Sequence, residues 1–268
     1  MKIILSRKGF DGNTGGIASP ILPDGTLLSM PIPSVDGVPY SCLEYNNVVY
    51  SKILEDLGHK GCKGNCHVDP DMRDNIRSNV IAEWKPAFGQ IDTAQGYLHN
   101  AGVKKDDIFL FFGWFRRVEL KDGKYKYVSK NAKDFYLGNE MQIVFAYLQI
   151  GDIITDPTMI KKYSWHPHVD NSRLYNKTNA LYVPRDALSF SNKLPGYGTL
   201  NYDIKRVLTK EGCTPAIWNE YRFCMPDMVI GKRKNSAKEK GLYYQGQWQE
   251  LVIKDNDEAV KWAQRIIS

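Results

Sequence analysis

The sequence predicts an α+β fold: a mixed, mainly antiparallel sheet or small barrel with flanking helices, in one domain over residues 1–268. Three observations predict it. Two long apolar stretches, Ile108–Phe115 and Met141–Ile154, read as strands, the first buried on both faces. Helical spacing of apolar residues is confined to residues 46–102 and to the C-terminus. Strands and helices do not alternate as βαβ units do, which disfavours a doubly wound sheet.

Each element has a local reason. Ile3–Leu5 is a short apolar strand, and Gly9, Gly12, Gly15 and Gly16 mark an irregular loop behind it. Asp24-Gly25 between Ile21-Leu22 and Leu27-Leu28 is a hairpin turn, and Pro31-Ile32-Pro33 ends that unit. Val49, Ile53 and Leu57 fall on one helical face, with Gly58 as a stop. Asp69-Pro70 reads as the N-cap and first residue of a second helix carrying Met72, Ile76 and Val80. A shorter helix holds Ala94, Leu98 and Ala101, ended by Gly102. Asp122-Gly123 turns the first long strand into a wetter one, Lys124–Val128, and Gly151-Asp152 breaks the second. Asn179–Val183 and Glu250–Ile253 are further strands. The last helix is capped by Asp255 with Glu258 completing a capping box, and buries Ala259, Trp262, Ala263 and Ile266.

Composition narrows the class. With 43% hydrophobic and 25% charged residues, the chain is globular rather than collagen-like, coiled-coil or disordered. Its densest apolar run has eight residues, too few to cross a bilayer as a helix, and the first residues read as a strand rather than a signal peptide, so no membrane partner is expected. Five cysteines, an odd number without secretory context, point to reduced thiols and a cytoplasmic protein. The net charge of +6 is concentrated. Residues 121–133 hold five lysines against one aspartate, and residues 231–240 hold five basic residues against one glutamate. Lys124, Lys126, Lys232, Arg233 and Lys234 are thus candidate contacts to a nucleic-acid backbone, or simply solvated loops.

Four constellations could carry chemistry. In Ser6-Arg7-Lys8-Gly9-Phe10-Asp11-Gly12, glycine lets backbone amides approach an anion and Arg7 offers a planar fork, with Lys8 beside it; the spacing is not that of a P-loop. The alternative is a surface loop with an Arg7–Asp11 ion pair. In the second, His59-x2-Cys62-x3-Cys66-His67 matches no standard zinc spacing, so no metal is assigned, whereas His67, Asp69 and Asp71 could surround a sugar or cation. The alternative is that Asp69 is only a helix cap. In the third, His166-Pro167-His168, proline separates two imidazoles able to act as acid or base. In the fourth, Trp114 and Phe115 precede Arg116-Arg117, a flat ring beside guanidinium groups suited to base stacking, or a core residue at a strand's exit. Tyr197 and Trp248 are weaker versions of the same signal.

Ser6-Arg7-Lys8-Gly9-Phe10-Asp11, Pro20-Ile21, Asp24-Gly25, Leu28-Ser29 and Pro31-Ile32-Pro33 resemble the opening of the third nucleotide modification associated domain family. His67-Val68-Asp69-Pro70-Asp71, Phe88-Gly89-Gln90, Phe111-Phe112-Gly113-Trp114-Phe115, His166-Pro167-His168 and Trp248-Gln249-Glu250 are similar to its later blocks. The resemblance implies a place among systems that modify or handle altered bases in bacteria and their phages, and it assigns no reaction. It also marks Gln90 and Glu250 as candidate ligand contacts. Residues 102–111 and 144–154 more loosely resemble PUA-like barrels, which often bind modified bases; Lys105-Asp106-Asp107 departs from the Gly-Asp turn common there.

The reading is recognition or processing of a nucleotide or modified base in a DNA-modification or defence context. The loop 6–11, with Arg7 and Lys8, would hold phosphate; His67, Asp69, Gln90, His166 and His168 would face base or sugar, with Asp71 and Glu250 as further ligand contacts; Trp114 would stack. One rival is a hydrolase or transferase acting on nucleotides, with Asp11 or Asp69 as general base and a histidine, His166 foremost, as acid. Another is a basic adaptor that only bridges nucleic acid and protein. No cofactor is assigned.

Overall fold

The computed structural model describes residues 1–61, 63–131 and 133–268. Its main sheet is built from β1 (Ile3–Arg7), β2 (Ser19–Ile21), β3 (Phe88–Gln90), β4 (Ile108–Lys121), β5 (Lys124–Tyr127), β6 (Met141–Ile154), β7 (Ala180–Pro184), β8 (Tyr197–Thr199) and β9 (Glu250–Ile253). The order is β9-β1-β4-β6-β7-β3, with β2 and β5 also on β4 and β8 on β6. Only β1 and β2 run parallel to β4; the other pairs are antiparallel. The fold is α+β, a curled, mainly antiparallel half-barrel with a few helices.

The two long strands read as uninterrupted apolar runs because both faces of the sheet are covered. Ile3, Leu5, Ile108, Leu110 and Phe112 point to a core shared with Trp218, Tyr244 and Trp262. Ile4, Phe109 and Phe111 point the other way, to Phe88, Leu98 and Tyr182. Fully burying one such side chain contributes about 1.5–3 kcal/mol. Helix α1 (Tyr50–Asp56) anchors a third cluster through Tyr50, Ile53 and Leu54. Helix α2 (Asp92–Asn100) covers the second face with Leu98. Helix α3 (Asp257–Ile267) covers the first with Ala259, Trp262, Ala263 and Ile266, the face its periodicity predicts.

Among the described residues the half-barrel does not close by strand pairing. Its edge strands, β9 and β3, meet through side chains: Gln90 Nε2 donates to Glu250 Oε1 at 2.6 Å. Helix α2 lies along this seam, where the Tyr97 hydroxyl donates to the Ile230 carbonyl and accepts from the Val252 amide of β9.

Two local expectations are corrected. Asp69-Pro70 does not start a helix. The Asp71 amide pairs with the Ala87 carbonyl, the helical turn that follows among the described residues is the short Asp74–Ile76, and Val80, expected on the buried face, is 93% exposed. The Asp69 side chain is drawn instead to the Gly89 amide, 2.9 Å away. Helix α3 is capped by Asn256, whose Oδ1 accepts from the Ala259 amide, because Asp255 pairs with the terminal ammonium of Met1 at 2.6 Å.

Candidate functional site

A cleft of about 640 Å³ opens at the seam between the sheet edges. Arg7, Lys8 and Asp11 line it from the end of β1 and the loop beyond, Gln90 from β3, Thr93 and Ala94 from α2, and Arg233 and Trp248 from the C-terminal segment. His67, Asp69 and His168 line it from the other side. The sheet explains the convergence: β1 places Ser6 opposite Glu250 on β9 and Arg7 opposite Phe112 on β4, and β3 brings Gln90 to the same seam.

Glu250 organises the basic wall. It is fully buried and faces Lys8 Nζ at 3.1 Å, Gln90 Nε2 at 2.6 Å and Arg233 Nη1 at 3.6 Å. Two cations against one carboxylate leave this group with a unit of positive charge. Lys8 also lies over the Phe88 ring, and Arg233 over Tyr97 and Trp248. Gln90 Oε1 also accepts from the Ile91 amide, so Gln90 ties Glu250 to the start of α2 while lining the cleft.

At the mouth, Arg7 Nη1 meets Asp11 Oδ2 at 2.9 Å. Asp11 Oδ1 accepts from the Asn13 and Thr14 amides, so both oxygens are occupied and Asp11 braces its loop. Gly9 makes the reversal between the two: its φ is +76°, and a Cβ there would lie 2.4 Å from Ser29 Oγ.

The opposite wall centres on Asp69. Its Oδ1 accepts from the Gly89 amide and faces His166 Nε2 at 3.4 Å. Its Oδ2 faces His67 Nε2 at 3.6 Å and His168 Nε2 at 3.8 Å. Burial alone would raise the carboxyl, but the imidazoles, His166 foremost, outweigh it and hold Asp69 well below the usual carboxylate range. His168 is pushed down to about 3, chiefly by burial, and is therefore neutral near pH 7. Its tautomer follows from Asn179: Nδ2 of that amide donates to the His168 carbonyl, leaving Oδ1 to accept from His168 Nδ1–H at 2.6 Å. The Nε2 lone pair of His168 is then turned toward Asp69. His166 is fully buried behind Asp69; its Nδ1 accepts from the His168 amide, and it borders a separate cavity of about 170 Å³.

Several candidate residues lie elsewhere. Asp71 is fully buried in a two-pronged pair with Arg77 and accepts from Trp84 Nε1. Trp114 donates to Glu140 and lines a neighbouring cleft of about 320 Å³, which shares Arg7 and Asp11 with the main one. Lys124 and Lys126 sit on β5, against the far end of β4. From Phe112, opposite Arg7, to Lys121, opposite Lys124, the strand runs nine residues, about 30 Å at ~3.3 Å each. Lys232 is exposed and Lys234 half-buried beside Arg233, which alone of the three lines the cleft.

Among the described residues of the His/Cys run, only His67 reaches the cleft. The Cys66 thiol is pushed up to about 12 by burial and donates to the Val38 carbonyl; His59 packs on Phe10; Cys62 lies outside the described residues. Arg173 and Asn179 were not singled out from sequence, because only the fold brings them to the site. Gly89 was visible only inside a motif. A Cβ there would lie 2.3 Å from the His168 ring, and its amide is the one that holds Asp69.

This cleft belongs to a chain whose family can be stated. The sequence model of nucleotide modification associated domain 3 matches residues 2–262, nearly the whole chain, and the protein belongs to that family. No protein of curated function and no solved structure matches it.

Proposed function

We propose that the seam cleft binds a nucleotide, free or within a modified nucleic acid, and that the Asp69 cluster acts on it. The observation that carries this reading is the polarity of the cleft. One wall carries the net-positive Lys8–Glu250–Arg233 group with Arg7 at the mouth; the other carries an ionised carboxylate and a neutral imidazole lone pair. A phosphate suits the first wall. Thr93 and Ala94 of the first turn of α2 line the same cleft and bring the positive end of that helix to it, with the Asp92 amide already given to Thr178 Oγ1. Trp248 supplies a flat, partly buried ring on which a base can stack. The second wall offers the groups that take up a proton or hold an electrophile, which supports processing over passive recognition. The family's association with nucleotide modification agrees with this reading. A defence setting and a cytoplasmic location belong to the same proposal.

Arg7 tests it. As a partly exposed ion pair with Asp11, it stabilises the fold by only about 0–1 kcal/mol. As a phosphate anchor, its loss weakens binding by about 2–5 kcal/mol. Arg7→Ala is therefore expected to keep the parent's melting temperature and lose nucleoside monophosphate affinity in calorimetry. Binding equal to the parent's would make the loop mere scaffold.

A further inference from the structure

The Asp69 wall presents a chemical imbalance. Asp69 Oδ2, His67 Nε2 and His168 Nε2 lie within 4.8 Å of one another, yet the separations from Asp69 of 3.6 and 3.8 Å are too long for hydrogen bonds. Asn179 takes up the Nδ1 side of the His168 ring, so Nε2 is the nitrogen turned toward Asp69. The three atoms thus face one another across a gap that no hydrogen bond of the structure bridges. A cation at the centre of the three atoms resolves this. Ligands about 2.0–2.2 Å from one ion stand roughly 2.8–3.6 Å apart in adjacent octahedral or tetrahedral positions, so the three atoms, at 3.6, 3.8 and no more than 4.8 Å from one another, need draw in only slightly to share one ion.

We propose that His67, Asp69 and His168 bind a single divalent first-row transition ion, with the remaining coordination positions open to the cleft. Two imidazoles and one carboxylate suit Zn²⁺, Fe²⁺ or Mn²⁺ and are a poor match for Mg²⁺ or Ca²⁺, which take oxygen ligands. The surroundings are those of a built ligand set. Asn179 holds the far nitrogen of His168, the Gly89 amide orients Asp69 through its other oxygen, and the absence of a Cβ at Gly89 lets the His168 ring sit where it does. His166 Nε2, buried without a hydrogen-bond partner, points at the carboxylate from behind. Three protein ligands with open positions facing a cleft define a reactive rather than a structural ion. The inference rests on the reading of the cleft as the working site only in giving the ion a use: its open positions would meet the nucleotide held on the opposite wall.

The test uses the full chain, stripped with a chelator and titrated with Zn²⁺ by calorimetry and with Co²⁺ by visible absorption, without nucleotide and with Mg²⁺ as a control. The expected result is one ion per chain, Co²⁺ d–d bands, and no response to Mg²⁺. His67→Ala and Asp69→Asn should abolish binding; Asn179→Ala, which removes an outer partner, should weaken it roughly 10- to 100-fold. His67 is half-buried at a strand end, so chelator-treated His67→Ala should melt with the chelator-treated parent, which separates ligand loss from misfolding. Absent or sub-stoichiometric binding, or affinity unchanged in both His67→Ala and Asp69→Asn, overturns the proposal. Nucleotide affinity measured in chelator stands or falls separately.

Discussion

Asp69 and Asp71 stand two residues apart on one irregular segment and do different work. Asp71 spends both oxygens on Arg77 and Trp84 and is closed off from the cleft. Asp69 gives one oxygen to Gly89 and His166 and turns the other to His67 and His168. The sequence shows both as carboxylates near a histidine; the setting of Asp69 depends on partners 20–99 residues away, which no local pattern reports. Gly89 is the most economical probe of this arrangement. Adding a methyl group there forces the buried His168 ring to move, which costs about 1–3 kcal/mol as overpacking. Gly89→Ala should lower the melting temperature and the ligand affinity together, while Gly12→Ala, where a Cβ meets nothing within 4 Å, should leave both unchanged. Equal melting for the two variants would mean that the ring relaxes freely and is not held in place.

The elements that were legible are those whose burial is set by their own periodicity. The C-terminal helix buries the residues its spacing names, and both long strands run where continuous apolar sequence places them, extended at β4 to Lys121 and carried through the Gly151-Asp152 break by a register shift. The helix expected after Asp69-Pro70 failed because tertiary partners claimed its backbone and side chains, a competition that spacing cannot display. The seam was equally hidden. Nothing in Phe88-Gly89-Gln90 or Trp248-Gln249-Glu250 says that these segments are the two edges of one curled sheet. Glu250 makes the contact between them. Replacing it with alanine strands Lys8 and Arg233 in a largely buried seam and frees Gln90, at a cost of about 3–5 kcal/mol. Thermal or denaturant unfolding of Glu250→Ala checks this; a loss below about 1 kcal/mol, typical of a surface pair, would mean that the edges are held together by α2 alone.

Across the whole molecule, charge and geometry are separated. The lysine-rich hairpin of β4 and β5 is about 30 Å of strand from Arg7, whereas the second basic block sends Arg233 into the cleft. A small nucleotide therefore has one natural seat, and a longer nucleic acid would need the hairpin as well. In that second case affinity falls steeply with salt, by roughly one unit of log–log slope per phosphate contacted. Among the described residues no helix is long and apolar enough to cross a membrane. The family, the half-barrel and the polarised cleft together make nucleotide binding at the seam the central claim, and an experimental structure of the protein with a nucleoside 5′-monophosphate tests it most directly. The account predicts the phosphate among Arg7, Lys8 and Arg233, the base against Trp248, and the sugar turned toward His67, Asp69 and His168. A ligand seated instead in the cleft beside Trp114, or in the one lined by Arg185 and Asn192, would contradict it, as would no ligand at all.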